Sequence, residues 1–125
     1  MSKSVFLIDD DPDESFLFLD AVTEINRNYE CFTCTDSQEA LQQLVQEKIK
    51  PDFIFLDLNM PRLKGNEFLR RIKKMPQLSQ IPVIIYTTSK FKNDMEESLE
   101  SGAFLFLTKP FKRDDLIAAI RKIIE

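Results

Sequence analysis

Short apolar runs that stop at acidic or hydroxyl residues recur along this chain, and each is followed by a helical pattern. Val5-Phe6-Leu7-Ile8 stops at Asp9-Asp10-Asp11, and Phe53-Ile54-Phe55-Leu56 stops at Asp57. Val83-Ile84-Ile85-Tyr86 ends in Thr87-Thr88-Ser89, and Phe104 to Leu107 ends in Thr108-Lys109-Pro110. Continuous runs of this kind, without polar alternation, read as strands buried on both faces of a parallel sheet. Cys31 to Cys34, rich in β-favouring and aromatic types, supply a further strand between the first two.

The intervening segments carry helix signals. Pro12 suits the first turn of a helix whose broad apolar face is expected from Phe16, Leu17, Leu19, Ala21, Val22 and Ile25. Asp36 and Glu39 have capping-box spacing, ahead of a face made by Ala40, Leu41, Leu44 and Val45. A loop with Pro61 and Gly65 precedes a helix buried through Phe68, Leu69 and Ile72. The fourth helix is poor in apolar residues, with Met95 and Leu99 on one side and Gly102 as its C-cap. The last helix packs through Leu116, Ile117, Ile120 and Ile124.

These make five β/α units in one domain, residues 1–125. A closed eightfold barrel needs about 250 residues. The expected fold is therefore α/β: an open, doubly wound, five-stranded parallel sheet with five helices, flavodoxin-like, in the common order 2-1-3-4-5. The composition, 43% hydrophobic and 30% charged, supports a packed core. The net charge of -4 speaks against nucleic acid as the main partner. No run approaches the roughly 18 apolar residues that span a bilayer, and nothing at the start resembles a signal peptide, so a cytoplasmic location is expected.

There is no histidine, which removes the commonest general base and every His-based metal site. Cys31 and Cys34 form a CxxC, but three residues of strand separate Cα atoms by about 10 Å, beyond the roughly 7 Å that a disulfide bridges. The pair reads as ordinary strand thiols.

Ligands of open α/β sheets bind beyond the carboxyl ends of the strands, where the order reverses. In order 2-1-3-4-5 that point lies between the first and third strands, which brings Asp9, Asp10 or Asp11 beside Asp57. Thr87 and Lys109 end the fourth and fifth strands on the same edge. Converging carboxylates repel one another unless a hard divalent cation neutralises them, and oxygen-only ligands suit Mg²⁺, Mn²⁺ or Ca²⁺. A carboxylate can also be a nucleophile that forms an aspartyl phosphate. Asp57, alone at its strand end, is the natural one, and Lys109 and Thr87 could neutralise and hydrogen-bond a phosphoryl group.

With these residues in place, the chain resembles the CheY-like receiver domains of response regulators in two-component signalling, over essentially its whole length. The motifs that carry the resemblance are VFLIDDDP at 5–12, FIFLDLNMP at 53–61 followed by Gly65, VIIYTTS at 83–89 and FLFLTKPF at 104–111. The resemblance implies Asp57 as phosphoacceptor. It implies Asp9 and Asp10, in preference to Asp11, as the acidic pair for Mg²⁺ or Mn²⁺, with the backbone carbonyl of Asn59 as a further ligand. Thr87 would be the switch hydroxyl, Lys109 the phosphate-pairing lysine, and Phe106 an aromatic switch residue or simply a core aromatic. It also implies a cis Lys109–Pro110 bond.

The partner implied is a histidine kinase or histidine phosphotransfer protein, which supplies the phosphoryl group in trans. The output would pass to a downstream protein, or to a second copy, through the face made by the fourth helix, fifth strand and fifth helix. The chain would be a self-modifying switch and not a turnover enzyme. Asn59 and Ser89, which border the site, would tune the lifetime of the phosphorylated state. Two other readings rest on the residues. The D-x-D spacing of Asp9 and Asp11 suits a haloacid-dehalogenase-like phosphatase, which would turn over many phosphate esters. A flavin-binding protein would need a hydroxyl- and glycine-rich first loop, and the loop here is acidic.

Overall fold

The computed structural model describes residues 3–125. Met1 and Ser2 of the expected domain lie outside the described residues. The elements alternate as expected: β1 (Ser4–Ile8), α1 (Pro12–Ile25), β2 (Glu30–Cys34), α2 (Ser37–Val45), β3 (Phe53–Leu56), α3 (Gly65–Lys73), β4 (Val83–Thr87), α4 (Lys92–Glu100), β5 (Leu105–Thr108) and α5 (Arg113–Ile124). The strands form one parallel sheet in the order β2-β1-β3-β4-β5.

Side chains alternate across each strand, so one run feeds two cores. Phe6, Ile8, Ile54, Leu56, Val83 and Ile85 face the α2 and α3 side, against Leu44, Phe68, Leu69 and Ile72. Val5, Leu7, Phe55, Ile84 and Tyr86 face the α1 and α5 side, against Phe18, Val22, Ile117 and Ile120. Both faces are covered, which is why the central strands show no polar alternation.

Several expected helix faces differ in the structure. In α1 the buried positions are Ser15, Phe18, Ala21 and Val22. Phe16, Leu17 and Leu19 are exposed. At about 100° per residue only one phase of a contiguous apolar stretch can meet the sheet, and the set 15, 18, 22 wins. In α2, Val45 is exposed while Ala40, Leu41 and Leu44 are buried. In α4, Met95 and Leu99 are exposed, and the helix rests instead on buried Ser98, whose Oγ donates to Asn66 Oδ1 at 3.1 Å. The faces of α3 and α5 are as expected.

Caps follow local chemistry. Asp11 caps α1 by accepting from the Asp13 N–H, and Asp36 caps α2 by accepting from the N–H groups of Gln38 and Glu39. Gly102, at φ +110°, follows α4. Its N–H donates to Leu99 O at 3.1 Å, and Ala103 N–H donates to Ser98 O at 3.0 Å. This paired arrangement satisfies carbonyls that the helix end would otherwise leave open, and the left-handed backbone favours glycine.

Both cysteines are free. Burial pushes the Cys31 thiol up to about 12, so it carries no thiolate at neutral pH. Among the described residues no peptide bond is cis. Lys109–Pro110 is therefore trans, contrary to the expectation, as most X–Pro bonds are by their intrinsic preference. Among the described residues no helix is long and apolar enough to cross a membrane.

Candidate functional site

Register brings the acids together. Ile8 pairs with both Cys34 and Leu56, so the next residues, Asp9 and Asp57, leave the sheet side by side. Backbone bonds prolong the ladder by one step: Asp9 N–H donates to Cys34 O at 3.0 Å, and Asp57 N–H donates to Ile8 O at 3.0 Å. The carboxylates of Asp9, Asp10 and Asp57 each offer an oxygen within 4.8 Å of the others. Asp9 and Asp57 are buried, whereas Asp10 is exposed at the mouth. Asp11 turns away to cap α1, which leaves Asp9 and Asp10 as the pair facing Asp57.

Lys109 reaches this cluster from the far strand. Thr87 pairs with Thr108, and Lys109 N–H donates to Thr87 O at 2.7 Å, so Lys109 leaves β5 beside the end of β4. Its Nζ lies 2.7 Å from Asp9 Oδ2 and 3.7 Å from Asp57 Oδ2. The lysine thus engages Asp9 most closely and keeps Asp57 within reach.

The electrostatics follow from this crowding. Burial raises the Asp57 carboxyl above its ordinary range, with Asp9 and Asp10 adding to it, while Lys109 and the Asn59 N–H pull the other way. Burial opposes the charge on Lys109, but its bond to Asp9 and the charges of Asp9, Asp57 and Glu14 outweigh it and raise the ammonium. Three carboxylates against one nearby ammonium leave negative charge in excess. An oxygen-only set of this kind fits a hard divalent cation.

The bordering residues are placed as follows. Asn59 N–H donates to Asp57 Oδ1 at 3.2 Å. Thr87 is fully buried at the end of β4, and its Oγ1 accepts from Ser89 N–H at 3.4 Å; no hydrogen bond joins it to Asp57. Phe106 is half-buried and packs on the α2–α3 core, some way along β5 from the acids. The β4–α4 loop is tied down by residues whose contacts the sequence did not suggest. Ser89 Oγ donates to Asp94, and Thr108 Oγ1 donates to Ser89 O at 2.9 Å. Nor does the sequence single out Tyr86, whose ring lies 5.3 Å from Lys109 Nζ. The available signal was one aromatic residue in an otherwise aliphatic strand, next to the strand-end threonine.

Gly65 shapes the loop that follows Asp57. A Cβ there would lie 2.8 Å from Asp57 O and 2.8 Å from Leu58 Cα, both backbone atoms that cannot swing aside. Gly65→Ala is expected to lower stability by about 1–3 kcal/mol, read by urea unfolding.

Comparison with known proteins gives the family and the fold. The model of the response regulator receiver domain matches residues 5–121. The response regulator Rcp1 of Synechocystis sp. is 31% identical over 97% of this chain and 86% of its own length. The phosphate regulon transcriptional regulatory protein PhoB of Pseudomonas aeruginosa is 30% identical over 99% of this chain, which spans only 52% of PhoB. Among solved structures, the phosphorylated cyanobacterial phytochrome response regulator RcpA superposes with a TM-score of 0.87 at 30% identity, covering 98% of this chain and 91% of RcpA. The Mn(2+)-bound form of Rcp1 superposes with a TM-score of 0.83 at 32% identity, covering 97% of this chain and 91% of Rcp1.

Proposed function

The chain belongs to the response regulator receiver domain family, and from that membership we propose that it is a phosphorylatable switch that accepts a phosphoryl group on Asp57. The observation that carries this reading is the meeting of Asp9, Asp10 and Asp57 within 4.8 Å, with Lys109 Nζ 3.7 Å from Asp57. Residues 1–125 act as one receiver unit. The phosphorylated form of RcpA and the Mn(2+)-bound form of Rcp1 support the same chemistry here.

Asp9, Asp10, Asp57 and the backbone carbonyl of Asn59 would hold Mg²⁺ (or Mn²⁺), which supplies positive charge against the phosphoryl oxygens. The chain's own residues do the rest. A carboxylate oxygen of Asp57 attacks the phosphorus of a phosphohistidine; the new O–P bond forms as the N–P bond breaks, and the electron pair leaves with the imidazole. The donor lies outside these residues, since they include no histidine; a histidine kinase or a histidine phosphotransfer protein supplies it. Lys109, already 3.7 Å from Asp57, neutralises an oxygen of the transferred group. Thr87 then donates its hydroxyl to another, exchanging its present contact with Ser89. That movement pulls the β4–α4 loop and shifts a two-state equilibrium of α4. Asn59 and Ser89, beside the transferred group, set how long it lasts. Phe106 follows the loop as the aromatic switch.

The output is binding. Phe104, Leu105, Met95 and Leu99 are exposed apolar residues on the α4–β5–α5 face, which suits a downstream protein or a second copy. The phosphatase reading needs Asp11 beside Asp9 in the cleft, and Asp11 caps α1 instead.

The test is incubation with acetyl phosphate and MgCl₂ followed by intact mass. One phosphoryl adduct, absent with EDTA, is expected; no adduct, or many-cycle hydrolysis of phosphate esters, would overturn the reading. A separate measurement isolates the cation site. Mg²⁺ should raise the melting temperature, with stabilisation of about 2.7 kcal/mol at a hundredfold excess over the dissociation constant. Asp10→Asn, at an exposed position, should remove that shift without lowering the metal-free melting temperature.

A further inference from the structure

Lys109 touches three groups. Besides Asp9 and Asp57, its ammonium lies 5.3 Å from the centroid of the Tyr86 ring. That distance is within the range in which a cation is attracted to an aromatic face. The ring itself is fixed. Tyr86 is 1% exposed, and it packs against Phe18 at 5.5 Å and edge-on to Phe55 at 6.2 Å. Two aromatic neighbours on the α1–α5 side leave it no room to rotate away. The lysine side chain is itself 9% exposed, so water does not screen the contact strongly.

We propose that Tyr86 is a positioning residue for Lys109: its ring face holds the ammonium within reach of Asp57 while the ammonium exchanges Asp9 for a phosphoryl oxygen. This rests on the phosphoacceptor reading above. A hydrogen bond fixes direction, whereas attraction to a ring face tolerates lateral movement. The ammonium can therefore slide between the two acids without losing its third partner. An aliphatic residue at position 86 would fill the space but offer no attraction. The ammonium would then settle on fully buried Asp9, its closest opposite charge.

The contact can be read directly in the unphosphorylated protein. The Lys109 Hε protons should be shifted upfield by the ring current of Tyr86, a signature kept in Tyr86→Phe and lost in Tyr86→Leu. With acetyl phosphate and Mg²⁺, Tyr86→Phe should label Asp57 at about the parent rate, and Tyr86→Leu about fivefold more slowly. In a Lys109→Ala background, Tyr86→Leu should cause no further slowing. Equal slowing in both backgrounds would show a purely structural role and overturn the proposal. So would parent-like labelling by Tyr86→Leu, or a Tyr86→Phe protein as slow as the leucine variant. If Tyr86→Leu does not fold, the parent ring-current shift decides, its absence overturning the proposal and its presence together with active Tyr86→Phe supporting it. No adduct in the parent chain would overturn the phosphoacceptor reading and this proposal together, whereas a labelled parent with background-independent loss overturns this proposal alone.

Discussion

Asp57→Asn should give no phosphoryl adduct with acetyl phosphate and Mg²⁺, yet fold at least as well as the parent chain. The amide keeps the shape of the side chain but removes the anionic oxygen that would attack phosphorus. Labelling by intact mass should fall to background, and any adduct that survives would place the acceptor elsewhere. The stability arm follows from electrostatics. Burial, with help from Asp9 and Asp10, raises the Asp57 carboxyl in the folded state above its ordinary value. An acid raised by folding binds its proton more tightly in the folded chain. Its favourable contribution is complete below the unfolded pKa and is lost as pH rises through the folded one. At neutral pH, in EDTA, the ionised Asp57 therefore opposes folding, and asparagine relieves it. The melting temperature of Asp57→Asn should exceed that of the parent at neutral pH, and the difference should vanish below the ordinary carboxylate range. A lower melting temperature at neutral pH would mean that the attraction of Lys109 outweighs burial.

Phe18→Ala should cost about 3–5 kcal/mol of unfolding free energy, while Phe16→Ala, two residues away on the same helix, should change it by less than about 0.5 kcal/mol. Phe18 is fully buried, and its ring packs at a tilt against Phe55 at 4.9 Å and Tyr86 at 5.5 Å. Phe16 is 69% exposed. Deleting the first ring opens a cavity in the α1–α5 core, whereas deleting the second removes side chain that already meets water. Paired urea titrations measure both. Comparable losses would show that α1 presents a different face to the sheet. Phe18→Ala also withdraws one of the two rings that wedge Tyr86, so labelling of Asp57 should slow as well as stability fall.

The central strand runs, the strand order and the residues at the strand ends were legible in the amino-acid sequence, whereas the fifth run, expected from Phe104, starts at Leu105 as an edge strand that is not buried. A run buried on both faces can only be continuous and apolar, and its end is marked by the first residue that must leave the sheet. Asp9, Asp57, Thr87 and Lys109 were located that way, and parallel register then carries the first two to the same place. The local caps were legible for a similar reason, since Asp36 and Gly102 answer to groups within a few residues of themselves.

Contacts between distant segments were not legible. In α1, Phe16-Leu17-Phe18-Leu19 is apolar without a break, so periodicity holds no phase, and packing against the sheet selects Phe18. The bond from Lys109 to Asp9 joins residues 100 positions apart, and several acids competed for that lysine. The ring under the same ammonium depends on β4 and β5 lying side by side and on α1 closing over Tyr86. Local composition determines which residues reach the edge of the sheet, because burial and capping act over a few residues. Which of them then meet is a matter of interatomic distance, and only the packed chain sets distances between residues so far apart.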